Sequence, residues 1–177
     1  MSSQAEATDG GQEILQVLTE CVDEVFTTMM ATVAELVSTV DEPLAGQQEL
    51  PVEEVEGEKH VAFEAVVEFD GPAHGAVILR CTSDGAMDIA RGLLMLGEGE
   101  TVEVDEIKDA LGECANMVSG SLKCKALDPN GEFTLGVPQI DARVEYDRSE
   151  HCGSLLYRLA AGCTAIEVWM QESEAKD

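Results

Sequence analysis

The sequence has little positive charge. Ten Lys and Arg residues stand against 36 Asp and Glu residues, so the formal net charge at pH 7 is -26. An acidic surface of this kind repels both the phosphate backbone of a nucleic acid and an anionic membrane. Binding to either is therefore disfavoured. The acidity itself fits a surface that stays solvated in high salt, or one that faces a basic partner.

Long apolar runs are also missing. No stretch approaches the roughly 18 apolar residues that a membrane-spanning helix needs, and the first residues lack the basic cap and apolar run of a secretory signal. We therefore expect a soluble, cytoplasmic protein. The 177 residues, 45% of them hydrophobic, suffice for one core. We expect a single domain over residues 12–171 between disordered tails at residues 1–11 and 172–177.

The cysteines and histidines lack the spacing of metal ligands or of a disulfide framework. No two cysteines are spaced Cys-x2-Cys, and no histidine has a second ligand at metal spacing. We expect buried free thiols, no metal site and no cofactor of the protein's own. The residues concerned are Cys21, Cys81, Cys114, Cys124, Cys152, Cys163, His60, His74 and His151.

One stretch has part of a calcium-loop pattern. Asp128, Asn130 and Glu132 have its odd spacing. The sixth position, however, is Phe133 where such a loop needs glycine, and the twelfth is Gln139 where it needs glutamate. The stretch is therefore interpreted as a turn.

The first predicted element is a long N-terminal helix. Over residues 12–40, apolar side chains recur every three or four positions, which is the period of an amphipathic helix. The helix is expected to stop before Pro43, because the residue ahead of a proline avoids the helical region. Residues 41–58 are predicted to form a loop.

A β-hairpin, two helices and further strands are predicted next. Residues 61–69 alternate as a half-buried strand does, and the turn at residues 70–72 leads into an antiparallel partner at residues 75–80. Ser83 is a plausible N-cap for a helix closed by Gly97, and a second helix covers residues 104–124. Strands are predicted at residues 132–140, 142–147, 155–159 and 164–170. Trp169 is expected to face away from the apolar side of its strand, either under a covering segment or as a single exposed aromatic.

The order of these elements predicts the fold class. Long connections carry helices, whereas neighbouring strands are joined by short turns. We therefore expect an α+β fold in which the long N-terminal helix and two further helices pack on one face of an antiparallel sheet.

The second helix has two different faces. A polar face with Asp109, Glu113, Asn116 and Gly120 spans about 60° of the helical wheel, nearly opposite the apolar stripe. Taken alone, Glu113 and Asn116 are most simply ordinary solvated residues. Gly112 and Gly120 each cost roughly 1 kcal/mol of helix propensity relative to alanine, which suggests a use other than stability, and Gly120 would allow another protein to come close. The apolar stripe consists of Val104, Ile107, Leu111, Cys114, Val118 and Leu122.

A longer sequence match indicates a function for this face. The stretch from Asp109 through Glu113 and Asn116 to Gly120 resembles the signature Asp/Ser-x3-Glu-x2-Asn of the CheC, CheX and FliY chemotaxis phosphatases. In that signature a proline follows some twenty-two residues later, and here Pro138 follows after twenty-one residues. Members like CheC carry two copies of the motif. This chain has one, so it resembles CheX and, by that resemblance, is expected to be a homodimer.

The resemblance implies a substrate, and the chemistry of the side chains suggests a role for each polar residue of the face. The substrate would be the aspartyl phosphate of a CheY-like response regulator, which brings its own Mg²⁺ and its own lysine. An asparagine cannot act as a base, but its amide can orient water for phosphoryl transfer, which makes Asn116 the candidate for that role. Glu113 would pair with the regulator's lysine, and Asp109 would support the partner-binding face. The alternatives are a non-catalytic dimeric adaptor of the same fold, and an acidic face that recruits a basic partner.

Overall fold

The computed structural model describes residues 9–30, 34–40, 53–55, 58–60, 63–97, 99–128, 130–142, 144 and 146–172. Three α-helices and nine strands lie within these ranges. Two helices continue as one π-helical turn each, α1 over Val25–Met29 and α3 over Lys123–Leu127. The elements are α1 (Asp9–Glu24), β1 (Glu35–Val40), β2 (Glu53–Val55), β3 (Glu58–His60), β4 (Phe63–Asp70), β5 (Ala73–Cys81), α2 (Ser83–Leu94), α3 (Val104–Leu122), β6 (Thr134–Leu135), β7 (Gln139–Ile140), β8 (His151–Arg158) and β9 (Cys163–Glu172).

The main sheet has seven strands, and its pairings are antiparallel. Its order is β1-β8-β9-β5-β4-β6, and β7 pairs with β4 beside β6. β2 and β3 form a separate two-stranded hairpin. The long central strands are predicted well from sequence, since β4 and β5 pair as a hairpin around the predicted turn at residues 70–72, although their connection is shorter than the slightly long loop that was expected.

The helices pack on one face of this sheet, as predicted. The main core joins residues of all three helices, such as Leu18, Ile89 and Leu111, to one side of the strands, such as Val67 and Ile166. Side chains alternate along a strand, so the neighbours of these strand residues point to the opposite face. The fold is therefore α+β with an antiparallel sheet.

The N-terminal helix is shorter than predicted. It begins at Asp9 and its π-helical turn ends at Met29, whereas Glu35–Val40 is strand β1, paired with β8 from Glu35 opposite Arg158 to Val40 opposite Ser154. The prediction of one helix over residues 12–40 was wrong at its C-terminal end. The β-branched residues Val37, Thr39 and Val40 suit a strand, and pairing with a distant strand outweighs a chance helical period. Residues 1–8 and 173–177 of the predicted tails lie outside the described residues.

Two further boundaries differ from the predictions. The predicted loop over residues 41–58 contains β2 and the start of β3, while residues 41–52 and 56–57 lie outside the described residues. The N-cap of α2 is Thr82 rather than Ser83, because the Thr82 hydroxyl accepts the N–H of Gly85 at 3.1 Å. α2 ends at Leu94, where Met95 takes a left-handed conformation two residues before Gly97.

The segment after α3 is less regular than predicted. The strand expected at residues 132–140 is split into β6 and β7 around residues 136–138, where Pro138 cannot donate to a sheet. The strand expected at residues 142–147 was wrong, since the described residues of that stretch are not in a strand. Instead, Val144 and Tyr146 lie over the outer face of the sheet, on the cluster of Val66, Ala76, Ile78 and Trp169.

Trp169 is therefore covered, which decides between the two interpretations of this residue. It is 2% exposed and stacks on Tyr146. Its indole N–H donates to Glu167, which is fully buried and ion-paired with Arg80. Arg80 also donates to Glu64 at 2.9 Å. The outer face thus buries a charged group of three side chains beside an aromatic cluster.

Candidate functional site

Helix α3 buries its apolar stripe against the sheet. Ile107, Leu111, Cys114, Val118 and Leu122 are at most 4% exposed, as predicted. Val104 was wrongly included, since it is 56% exposed. It is the first residue of the helix, and a side chain there points back toward the N-terminus, away from the next turn that buries Ile107.

The predicted polar face lies on the solvent side of this helix. Asp109 and Glu113 are exposed, and Asn116 and Gly120 are half-buried. All four belong to one uninterrupted helix, so the spacing of three and four residues aligns them along one side. Within the described part of the chain, the side chains of Glu113 and Asn116 form no hydrogen bond or ion pair. A carboxylate and an amide are thus both free to contact a partner.

The two glycines of the helix have different surroundings. A Cβ on Gly112 would lie 3.4 Å from Pro138 Cβ and 3.5 Å from Ile140 Cδ1. A Cβ on Gly120 would have no atom within 4 Å. The 138–140 segment lies close to Gly112 but leaves room for a methyl group, whereas the space above Gly120 is open. Only Gly120 fits the expectation of a low surface that another protein could approach.

The segment that carries Pro138 is fixed at both ends. The N–H of Gly136 donates to the carbonyl of Glu68 at 2.7 Å, and the N–H of Asp141 donates to the carbonyl of Glu64 at 2.8 Å. The Asp141 carboxylate also lies 3.0 Å from Lys108 Nζ on α3. This segment, residues 136–141, therefore joins β4 to the site helix.

Sequence reasoning missed the role of Lys108 and Asp141. Asp141 adopts a left-handed conformation with φ 55, which aspartate tolerates better than most residues. No local pattern pairs it with Lys108, because the two meet only when β7 docks beside α3. The proline of the signature was the one available signal that this segment belongs to the site.

The side chains beneath the polar face are not nucleophiles. Cys114 is fully buried, and burial, followed by the charges of Cys81 and Glu113, raises the pKa of its thiol. Ser119 is buried and its hydroxyl donates to the carbonyl of Ala115 at 2.7 Å. The face offers an amide and carboxylates, which can position water and bind cations but cannot carry a covalent intermediate through a thiolate.

The electrostatic character of the face is negative. Asp105, Glu106, Asp109 and Glu113 are all exposed on α3. Lys108, on the same helix, is engaged by Asp141. Electrostatic complementarity therefore favours a partner that presents positive charge to the carboxylates of this face.

The structure also shows where the other residues that were considered as metal ligands lie. The Asp128 carboxylate accepts the N–H groups of Glu132 and Phe133 and lies near Lys123. Burial alone would raise the pKa of Asp128, but these donors outweigh it and hold the pKa below its usual range. His74 contacts Asp70, His151 contacts Ser154, and His60 lies in β3. Among the described residues, no three His, Cys, Asp or Glu side chains are grouped to hold a metal ion.

The six cysteines are free thiols, but they are not all buried. Cys21, Cys81 and Cys114 are buried, Cys152 and Cys163 are half-buried, and Cys124 is exposed on the π-helical turn after α3. The prediction of buried thiols is thus wrong for Cys124, because that short turn lies beyond the part of the helix that packs on the sheet. None of the described helices is long and apolar enough to span a membrane.

One open groove lies away from the polar face. It has a volume of about 630 Å³ and runs between α1 and residues 125–133. Its lining includes Ile14, Lys125 and Phe133, and none of Asp109, Glu113 or Asn116. This groove does not include the candidate site, whose Asp109 and Glu113 are exposed on the surface of α3.

Comparison with known proteins identifies a family whose model matches more than half of the chain. The family model described as chemotaxis phosphatase CheX matches residues 63–158, a range that includes α3 and Pro138. Comparison with curated protein sequences finds no match.

Solved structures of several chemotaxis proteins share the fold. The chemotaxis protein CheX from Vibrio vulnificus is 15% identical, with a TM-score of 0.68 over 90% of this chain and 99% of that chain. CheX from Borrelia burgdorferi, solved as a CheX-CheY-BeF3-Mg complex, is 14% identical, with a TM-score of 0.63 over 90% and 98%. FliY from Thermotoga maritima is 15% identical, with a TM-score of 0.61 over 96% and 92%.

Proposed function

The chain belongs to the chemotaxis phosphatase CheX family, and we propose that it accelerates hydrolysis of the aspartyl phosphate of a CheY-like response regulator. One observation carries the proposal. Glu113 and Asn116 stand one turn apart on the solvent side of α3, in the signature spacing, with no partner among the described residues. We propose that these two side chains enter the regulator's phosphorylation pocket from this helix.

Asn116 is proposed to orient the attacking water. A side-chain amide has a carbonyl that accepts and an NH₂ group that donates, so it can hold a water molecule in line with the phosphorus atom. Water attacks phosphorus, the bond between phosphorus and the aspartyl oxygen breaks, and the carboxylate leaves. Inorganic phosphate retains the protons of the water. Asn116 forms no covalent bond, which agrees with a face that lacks a reactive thiol.

Glu113 is proposed to dock the helix. Its exposed carboxylate can accept a charge-assisted hydrogen bond from a lysine of the regulator, which fixes α3 relative to the phosphoryl group. Asp109, one turn earlier, adds to the negative potential without touching the reacting atoms. Gly120, one turn beyond Asn116, has open space above it and lets the regulator's backbone approach.

No cofactor of the protein's own is needed for these steps. In the Borrelia complex the magnesium ion accompanies CheY and BeF3. By the same chemistry, the phosphorylated partner of this chain would supply Mg²⁺, which offsets charge on the phosphoryl oxygens. The residues of α3 then have only to bind the regulator and to position water.

Homodimer formation and a cytoplasmic location are also proposed, on the resemblance to CheX. β1 lies at one end of the sheet order, where its residues Leu36 and Val37 are 39% and 44% exposed. An edge strand with exposed apolar side chains is a surface that a second copy can cover. Sedimentation equilibrium of the full chain tests the dimer.

The experiment for the function is a phosphate-release assay. The CheY-like regulators of the same genome are phosphorylated with a small phosphodonor, and the decay of each is followed with and without a substoichiometric amount of this protein. We expect at least one regulator to lose phosphate roughly 10²-fold faster, the range that a well-placed polar group supplies. Removal of Mg²⁺ with EDTA should abolish the acceleration. If the protein binds a regulator tightly but leaves its decay rate unchanged, it is an adaptor rather than a phosphatase.

A further inference from the structure

We propose that Val137 and Pro138 form an apolar shoulder beside the polar face of α3, and that the phosphorylated regulator packs an apolar side chain against this shoulder. The inference rests on the proposed function and extends it from two polar contacts to a mixed interface. It assigns the 136–141 segment to partner binding.

The exposure of Val137 is unusual for a residue held so firmly. Val137 is 82% exposed, although the N–H of Gly136 is bonded to the carbonyl of Glu68 and β7 begins at Gln139. The exposure of a valine at the tip of a flexible loop would be unremarked, because such a loop can move to cover the side chain. A valine fixed in contact with water by hydrogen bonds on both sides loses the chance to bury its side chain elsewhere.

The shoulder adjoins the residues of the site. Pro138 Cβ lies 3.4 Å from the position of a Cβ on Gly112. Gly112 immediately precedes Glu113 and lies one helical turn before Asn116. Pro138 therefore lies beside the turn of α3 that carries Glu113 and Asn116, and Val137 is its exposed neighbour in sequence.

The shoulder also provides an exposed apolar contact, which the polar face lacks. The exposed side chains of α3 near the site are carboxylates, and charged contacts at an exposed surface give orientation and on-rate more than affinity. Affinity usually comes from an apolar contact at the centre of an interface. Val137 is exposed and immediately precedes Pro138, which contacts this turn of α3. Among the other exposed apolar side chains of the described residues, Leu94 and Met95 lie at the end of α2, and Val104 is the first residue of α3. The partner accordingly presents a lysine to Glu113 and an apolar side chain to Val137.

The test compares two substitutions of the same chemistry. Val137→Glu places a charge on the shoulder, and Val104→Glu places the same charge on an exposed valine at the start of α3. Both variants are checked for unchanged thermal unfolding. Binding to a regulator loaded with beryllofluoride and Mg²⁺ is measured by calorimetry, and turnover is measured at low and at saturating concentrations of phosphorylated regulator.

We expect Val137→Glu to weaken binding and raise KM by about tenfold, which is the loss of one well-buried apolar contact. The kcat at saturation should stay within about twofold of the parent value, because Asn116 is untouched. Val104→Glu should change neither quantity by more than about twofold, and Val137→Ile should retain parental binding.

Three results would overturn the inference. The first is parental binding and KM in Val137→Glu while the unsubstituted protein accelerates hydrolysis, in which case the proposed function stands and the shoulder does not. The second is an equal loss in both glutamate variants, which would indicate a general charge effect. The third is dissociation of a homodimer by Val137→Glu alone, which would assign the shoulder to a second copy. If the unsubstituted protein neither binds nor accelerates any regulator, the proposed function fails as well.

Discussion

Pro138 packs against the backbone of Gly112, with its Cβ 3.4 Å from the point where a side chain on Gly112 would begin. A methyl group fits at that distance, so we expect Gly112→Ala to be tolerated and to gain up to about 1 kcal/mol of helix propensity. Gly112→Leu should instead push the 138–140 segment away and cost about 1–3 kcal/mol. Urea unfolding of the two variants measures both effects. Equal stability of the two would show that the segment is not in contact with α3.

Gly120 should respond differently, because no atom lies within 4 Å of its missing side chain. Gly120→Ala and Gly120→Gln are both expected to stabilise the protein by about 0.5–1 kcal/mol. Only the longer glutamine should obstruct the regulator, with a loss of affinity of about tenfold. Calorimetric titration with a beryllofluoride-loaded regulator checks this, and unchanged affinity in Gly120→Gln would exclude close approach at this position.

The features that were predictable from sequence depend on local pattern. The β4–β5 hairpin follows from the alternation of β4 and the turn residues 70–72, and the polar face of α3 follows from helical period alone. β1 was missed because its residues fit a helical period, and its pairing partner, Arg158, lies 123 residues away from Glu35. The contacts of Asp141 with Lys108 and Glu64 depend on how β7 docks between α3 and β4. Long-range packing decides such contacts, and no local pattern encodes them.

The two carboxylates of the site are expected to differ in importance. Glu113→Gln removes one charge and should reduce regulator affinity and turnover at subsaturating regulator by about 10–100-fold, the range for loss of a charge-assisted hydrogen bond. Asp109→Asn removes the same charge one turn away and should cost less than about threefold. Binding and decay assays at two salt concentrations measure both variants. Equal losses in the two variants would mean that only the overall negative potential matters.

Burial of Cys114 should make stability fall at alkaline pH. The ordinary thiol pKa is 9.0, and burial raises the pKa of Cys114 above it, as burial also raises the pKa of Cys81 to about 12. Above pH 9 the unfolded chain releases these protons while the folded protein keeps them. The stability that these buried thiols contribute is thus fully present below pH 9 and is lost as the pH rises toward their pKa in the folded protein.

The matched variant for this prediction is Cys114→Val. Between about pH 9 and pH 11, the stability of the unsubstituted protein should fall more steeply than that of the variant, by up to about 1.4 kcal/mol per pH unit. Urea unfolding at each pH gives the two slopes. Parallel slopes would mean that Cys114 ionises in the folded protein as readily as in the unfolded chain.

The central claim is that catalysis depends on one amide, and Asn116→Ala tests it most directly. The measurement is the decay rate of the phosphorylated regulator, with binding to the beryllofluoride-loaded regulator as a parallel readout. Asn130→Ala, at an exposed asparagine in the turn after α3, is the matched control. We predict that Asn116→Ala removes most of the roughly 10²-fold acceleration while binding stays within about twofold, and that the control retains both. An unchanged decay rate in Asn116→Ala would contradict the account.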